Sequence, residues 1–190
     1  MAALFRNFKK DALVILKASL FYNFAVGLFA PFYAIYVRQI GGSILDAGLA
    51  YAFFNIAMGL LVLTFCRTGF YLRHTRSIIV IGYFLDVFGS LGYIFVVNPT
   101  QLFLVQIFLG LSLGLSAPAW DTLYSSDLSK EKANLQWTVW TGGVSLAIGA
   151  GALIGGLVVT FFSFKTLFLS IATVNLISGI ISWKIVKDKT

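Results

Sequence analysis

Six long apolar runs follow one another along this chain, separated by short polar links, and they nearly exhaust its 190 residues. A helix that crosses a bilayer needs roughly 20 mostly apolar residues. The runs predict spans over 12–37, 45–66, 77–97, 101–124, 136–160 and 165–186. Inside hydrocarbon every backbone N–H and C=O must find its partner within the protein, so the runs are expected to be helices. They are also much too long for barrel strands. Charged residues make up 11% of the chain, against the roughly 25% usual in soluble domains. The expected fold is therefore an all-α membrane protein: one six-helix bundle over residues 1–190, with no soluble domain.

The first run is too long for the core of a signal peptide and no small-residue cleavage site follows it. It reads as a retained span. Asn98-Pro99-Thr100 is a turn between spans three and four, and the polar stretch Ser125 to Asn134 separates spans four and five.

The net charge of +7 raises the possibility of a nucleic-acid partner, but its distribution points to lipid. With both termini on one side, that side carries Arg6, Lys9, Lys10, Arg67, Arg73, Arg76, Lys130, Lys132, Lys184, Lys187 and Lys189. The other side carries Arg38 and Lys165, and Lys17 lies within the start of span one. This asymmetry predicts cytoplasmic termini in a cell (inner) membrane by the positive-inside rule, with no nucleic-acid partner.

One cysteine, Cys66, allows no internal disulfide, and one histidine, His74, leaves no metal-ligand set. No phosphate-cradling glycine loop followed by lysine is present, so ATP is not the expected energy source. No catalytic set is visible. The expectation is a protein that is not an enzyme and needs no cofactor or metal.

Glycines concentrate in spans four and five, at Gly110, Gly114, Gly151, Gly155 and Gly156 among others. Small residues let helix backbones approach closely in lipid, so tight packing is the plainer reading. Sliding of a helix pair during a transport cycle is the functional one.

Several motifs, in order, make the chain resemble one half of a major facilitator superfamily transporter, from about Ser19 to Lys187. That family has a basic loop between spans two and three, Gly-x-x-x-Asp-Arg-x-Gly-Arg-Lys. Here Gly69 to Ser77 is similar, with Arg73 and Arg76 on basic positions, Leu72 in place of the acid and Thr75 in place of the second glycine. Span four resembles Arg-x-x-x-Gly-x-Gly, with Gln106 at the arginine position and Gly110 on the glycine. Asp127 to Lys132 resembles the acidic-then-basic link before span five. Gly151-Ala152-Leu153-Ile154-Gly155-Gly156 is similar to the Gly-Pro-x-x-Gly-Gly signature of drug–proton antiporters, with alanine for proline. The resemblance implies a cytoplasmic latch or gate at Arg73, Arg76 and Asp127.

Family members usually have twelve helices in two parallel-repeat halves, with the substrate site between them. A chain of six spans is therefore expected to work as a homodimer of half-transporters. Spans one, two, four and five would surround a cavity, with three and six outside. The implied activity is secondary transport of small, drug-like or amphipathic solutes. Two alternatives stand beside it: a non-transporting scaffold or subunit, and one half of a transporter completed by another chain.

Polar groups within the apolar runs are the candidate site. Asp86 lies near the middle of span three, where an unpaired charge costs about 2.5–3.5 kcal/mol. It reads either as a protonation site or as a buried structural acid on a supporting helix. Asp121 shares a face of span four with Gln106, Gly110, Ala117 and Tyr124 at helical spacing. It reads as a coupling or gating acid, or as an interfacial charge; Lys17 could pair with it or snorkel. Candidates for the cavity wall are Tyr22, Asn23 and Tyr33 in span one, Asn55 in span two, Gln106 in span four and Trp140 in span five. Trp140, with Trp137, also reads as an interfacial anchor. Asn175 reads as a helix-packing contact.

Overall fold

The computed structural model describes residues 8–66, 70–128 and 131–187, with the side chains of Cys66, Leu72 and Arg73 outside the description. Arg6, Arg67, Thr68, Gly69, Ser129, Lys130 and Lys189 also lie outside the described residues. Among the described residues six helices are long and apolar enough to cross a membrane: Lys10–Gln39, Ile44–Phe65, His74–Phe95, Pro99–Asp127, Ala133–Phe161 and Phe164–Lys187. They are spans one to six below; four of the expected runs fall within them, and those over 45–66 and 77–97 overrun the helix end by one and two residues.

The ends differ from the sequence expectation by a few residues, for local reasons. Span four starts at Pro99 because Asn98 caps it, its side-chain oxygen accepting from the Gln101 N–H at 3.0 Å. Proline suits the first helical position, where its missing N–H costs nothing. Span four then continues through Ser125 to Asp127, residues expected in the link. Span two opens on a reciprocal cap. The Ser43 N–H donates to the Asp46 carboxylate at 2.7 Å, and the Asp46 N–H donates to the Ser43 hydroxyl at 3.2 Å. Between spans one and two the chain reverses at Gly41, whose φ of 83° favours glycine. Span one is broken by a tight 3-10 turn at Ala30–Phe32, where Pro31 cannot continue the α-helical ladder.

Packing follows the order two, four, three, six, one, five, with each span lying chiefly against its neighbours in that order. Spans one and four also touch, and so close the inner part of the bundle. Spans three and six form the back. Spans two and five flank the bundle and are the least buried.

Glycine sets the two flanking contacts. A Cβ on Gly110 or Gly114 would land on the backbone of Phe54 or Met58 of span two. A Cβ on Gly151 or Gly155 would land on the backbone of Phe24 or Leu28 of span one, and Gly27 meets Ile148 in the same way. Gly156 is looser, facing the Phe32 ring. In lipid this approach of backbone to backbone supplies dispersion contacts that larger side chains would block.

Replacing Gly155 with valine is expected to destabilise the bundle by at least about 2 kcal/mol through overpacking. Gly149→Val on the same helix, where a Cβ meets nothing within 4 Å, serves as the control. Thermal unfolding in detergent compares them; equal melting of the two variants would contradict the packing account.

Candidate functional site

A cavity of about 300 Å³ lies between the spans. Span one contributes Tyr22, Ala25, Val26, Phe29, Ala30 and Tyr33 to its wall. Opposite stand Tyr51 and Phe54 of span two, Asp86, Ser90 and Tyr93 of span three, Gln106 and Leu109 of span four, and Ile171 and Asn175 of span six. Ile171 is the eighth residue of a span that begins at Phe164, so the cavity sits about 10 Å in from that end. It therefore occupies the half of the bundle away from the termini. Val26 and Tyr51 remain 40% and 64% exposed, so its mouth opens on the face of spans one and two that the bundle leaves uncovered.

The helical period explains which residues reach it. Tyr22, Val26, Phe29 and Tyr33 recur at spacings of four and three and share one stripe. Tyr22 forms part of the floor. Its ring meets Trp120 edge-on at 5.1 Å and Tyr83 at 5.8 Å, and Tyr83 stacks on Trp120 at 5.2 Å. Those rings close the cavity toward the termini. On the far side Phe29 makes edge contacts with Tyr33, Tyr36, Tyr93 and Phe168. The Tyr36 hydroxyl donates to the Tyr93 carbonyl at 2.9 Å, which pins span one to the end of span three.

Three polar arrangements interrupt this aromatic wall. Gln106, 5% exposed, donates from Nε2 to the Tyr33 hydroxyl at 2.7 Å and joins spans four and one. Asp86 is 3% exposed, and its Oδ2 has no hydrogen-bond partner among the described residues. The Ser112 hydroxyl, which reaches the Gly82 carbonyl at 3.1 Å, is the carboxyl group's polar neighbour from span four. Asn175 donates to the Ser90 hydroxyl at 3.1 Å, while Ser90 donates to the Asp86 backbone carbonyl at 2.7 Å. The Asn175 Oδ1 is likewise buried and unpartnered among the described residues.

The structure thus brings together Tyr22, Tyr33, Gln106 and Asp86, and separates the other cavity candidates from them. Asn23 follows Tyr22 by one residue, so it faces aside; its amide donates to the Ser19 carbonyl of its own helix at 2.8 Å. Asn55 is exposed beside Phe54 and donates to the Tyr51 carbonyl, also on its own helix, at 2.8 Å. Trp140 packs on Tyr124 at 4.4 Å near the terminal side of the bundle, outside the cavity wall. Asp121 is exposed and lines no part of the cavity. The face expected to carry it divides along its length: Gln106 enters the cavity, Gly110 packs on span two, and Tyr124 turns inward to donate to the Gln136 carbonyl at 2.8 Å. Lys17 is exposed and forms no ion pair with Asp121.

Ser90, Asn175 and the aromatic residues Tyr51, Phe54 and Tyr93 were not recognisable as wall from the sequence. Asn175 did carry a signal, as an amide inside an apolar run. Among the described residues no group of three or more His, Cys, Asp or Glu side chains could hold a metal.

The terminal side carries its own polar ties. Arg76 pairs with Asp11 of span one and donates to the Ile185 carbonyl of span six at 2.8 Å. Those contacts clamp spans one, three and six together and place both ends of the chain on one side. Asp127 lies 3.9 Å from Lys9, joining span four to the start of span one. Arg76 and Asp127 therefore engage partners within this bundle, whereas the Arg73 side chain lies outside the description. In a double-mutant cycle, Asp11→Asn and Arg76→Gln are expected to show a coupling of about 1 kcal/mol, as for a half-buried pair. Additive effects on unfolding would rule the clamp out.

The sequence profile described as Major Facilitator Superfamily matches residues 15–190. An uncharacterized MFS-type transporter of Methanocaldococcus jannaschii is 24% identical over 187 residues, covering 95% of this chain and 46% of the relative. An uncharacterized MFS-type transporter of Bacillus subtilis is 25% identical over 173 residues, covering 85% of this chain and 98% of the relative. The chain thus spans about half the length of the first relative and nearly all of the second. With six spans, a closed back and a wall of aromatic and polar groups between them, the chain belongs to the major facilitator superfamily.

Proposed function

We propose that the protein is a secondary active transporter of small amphipathic solutes that works as a homodimer of six-span halves. The observation that carries this reading is the cavity, which opens on the face that the bundle's own helices leave uncovered. Spans two and five, the least buried, flank that face and offer apolar surface such as Leu60, Leu146 and Leu153 to a second half. A two-fold axis along the membrane normal would bring two such faces together and reproduce the parallel repeat of twelve-span members. The Bacillus subtilis relative, matched over 98% of its length, supports a unit of this size standing alone.

The rest of the reading follows from charge. Lys and Arg concentrate on the side of the termini, which supports a cytoplasmic position for both ends in a cell membrane. Asp86 is the carboxyl group of the cavity and the candidate for proton coupling. The other titratable groups in the wall are Tyr22, Tyr33, Tyr51 and Tyr93. Asp121, exposed nearer the terminal side, is available to the space between two halves.

Native mass spectrometry of the chain in lipid nanodiscs tests the assembly, with a dominant dimer expected. A stable monomer would transfer the function to a scaffold, or to a transporter completed by another chain. In proteoliposomes, uptake driven by a pH gradient is expected to lose that dependence in Asp86→Asn. Unchanged dependence would remove Asp86 from the coupling step.

A further inference from the structure

Two buried acceptors in the cavity wall have no partner among the described residues. They are Asp86 Oδ2 and Asn175 Oδ1, each on a side chain more than nine-tenths buried. The serine hydroxyls nearby are already committed. A serine hydroxyl has one proton to give; that of Ser90 goes to the Asp86 backbone carbonyl, and its oxygen is taken up by the Asn175 amide. The Ser112 hydroxyl is divided between the Gly82 carbonyl and the carboxyl group. Gln106 gives one amide N–H to the Tyr33 hydroxyl. Among the described residues no lysine, arginine or histidine lines the cavity, so none of them gives the carboxyl group a positive partner there. Buried acceptors without a partner are costly, which makes a donor carried by a ligand the natural complement.

The remainder of the wall selects the kind of donor. Six aromatic rings line the cavity. Ring faces attract organic cations and cover apolar carbon at the same time. A hard inorganic cation would want a shell of six or more oxygens, which such a wall does not offer.

We propose that this cavity binds a protonated organic amine, its ammonium N–H groups donating to Asp86 Oδ2 and Asn175 Oδ1 and its apolar body resting on Tyr22, Phe29, Tyr33 and Tyr93. The ammonium brings both what the acceptors lack: N–H donors and a positive charge opposite the carboxylate. The inference deepens the transport reading and rests on it for the meaning of the bound solute. The binding itself is testable without transport.

The test uses the full chain in lipid nanodiscs and calorimetric titration with three probes of one shape: 2-phenylethylamine, protonated at neutral pH, neutral 2-phenylethanol, and phenylacetate. The amine is expected to bind at least about tenfold more tightly than the alcohol, the advantage of a charge-assisted hydrogen bond, with phenylacetate weakest. Asp86→Asn should remove that advantage, and Asn175→Leu should reduce it. Equal affinities for amine and alcohol in the unaltered chain would overturn the proposal, as would an unaltered amine affinity in Asp86→Asn. Displacement of the amine by sodium at matched ionic strength would overturn it in favour of an inorganic cation. If Asp86→Asn fails to fold, the three-probe comparison on the unaltered chain still decides. Amine binding without uptake into proteoliposomes would retain this site and refute transport. Uptake of another solute without amine binding would do the reverse.

Discussion

In hydrocarbon a helix gains nothing by hiding leucine from its surroundings, because lipid tails are as apolar as the side chain. What holds such helices together is how closely their backbones approach, and in this protein the approach is made at glycine. Gly110 and Gly114 let span four lie on the carbonyls of span two, while Gly27, Gly151 and Gly155 let spans one and five do the same. The rest of the architecture depends on those two contacts. They hold the flanking helices against the inner pair, leaving the larger side chains of spans one, two, three, four and six to enclose the cavity.

The polar groups divide between two kinds of work. On the terminal side Arg76 joins Asp11 and the Ile185 carbonyl, so a cation, a carboxylate and a helix-end carbonyl satisfy one another. Inside the cavity the same chemistry is left incomplete. Gln106 and Tyr33 complete a bond across two spans, but Asp86 and Asn175 keep an oxygen each without a partner. A buried polar group normally finds a partner inside the protein. Two that do not, in one ligand-sized cavity, mark the place where the fold forgoes satisfaction for recognition.

Much of the fold was legible along the chain because a bilayer allows so few solutions. An apolar run of this length has to be a helix, and the glycine clusters read as tight packing or as a sliding helix pair. Tyr33 and Gln106 were recognisable because each interrupts or borders an apolar run on a plausible inner stripe. Asn23, Asn55 and Trp140, named by the same reasoning, do not line the cavity. Each is polar or amphipathic in a span, yet Asn23 and Asn55 satisfy themselves on the carbonyl four residues back, and Trp140 joins the Tyr124 cluster. An asparagine can always choose its own helix, and nothing in spacing reveals that it has done so.

From the sequence alone came the number of spans, their order and the asymmetry of charge between the two sides, since each follows from transfer of side chains between water and lipid. The tertiary structure alone decided which polar residues share a space. Asp86 stands on a span that forms part of the bundle's back, yet it faces inward beside Ser90 and Asn175. Asp121, on a span that lines the cavity, is left outside. The physical reason is that a helix period places a residue on a face, whereas the crossing of neighbouring helices, set by glycine contacts far along the chain, determines what that face meets.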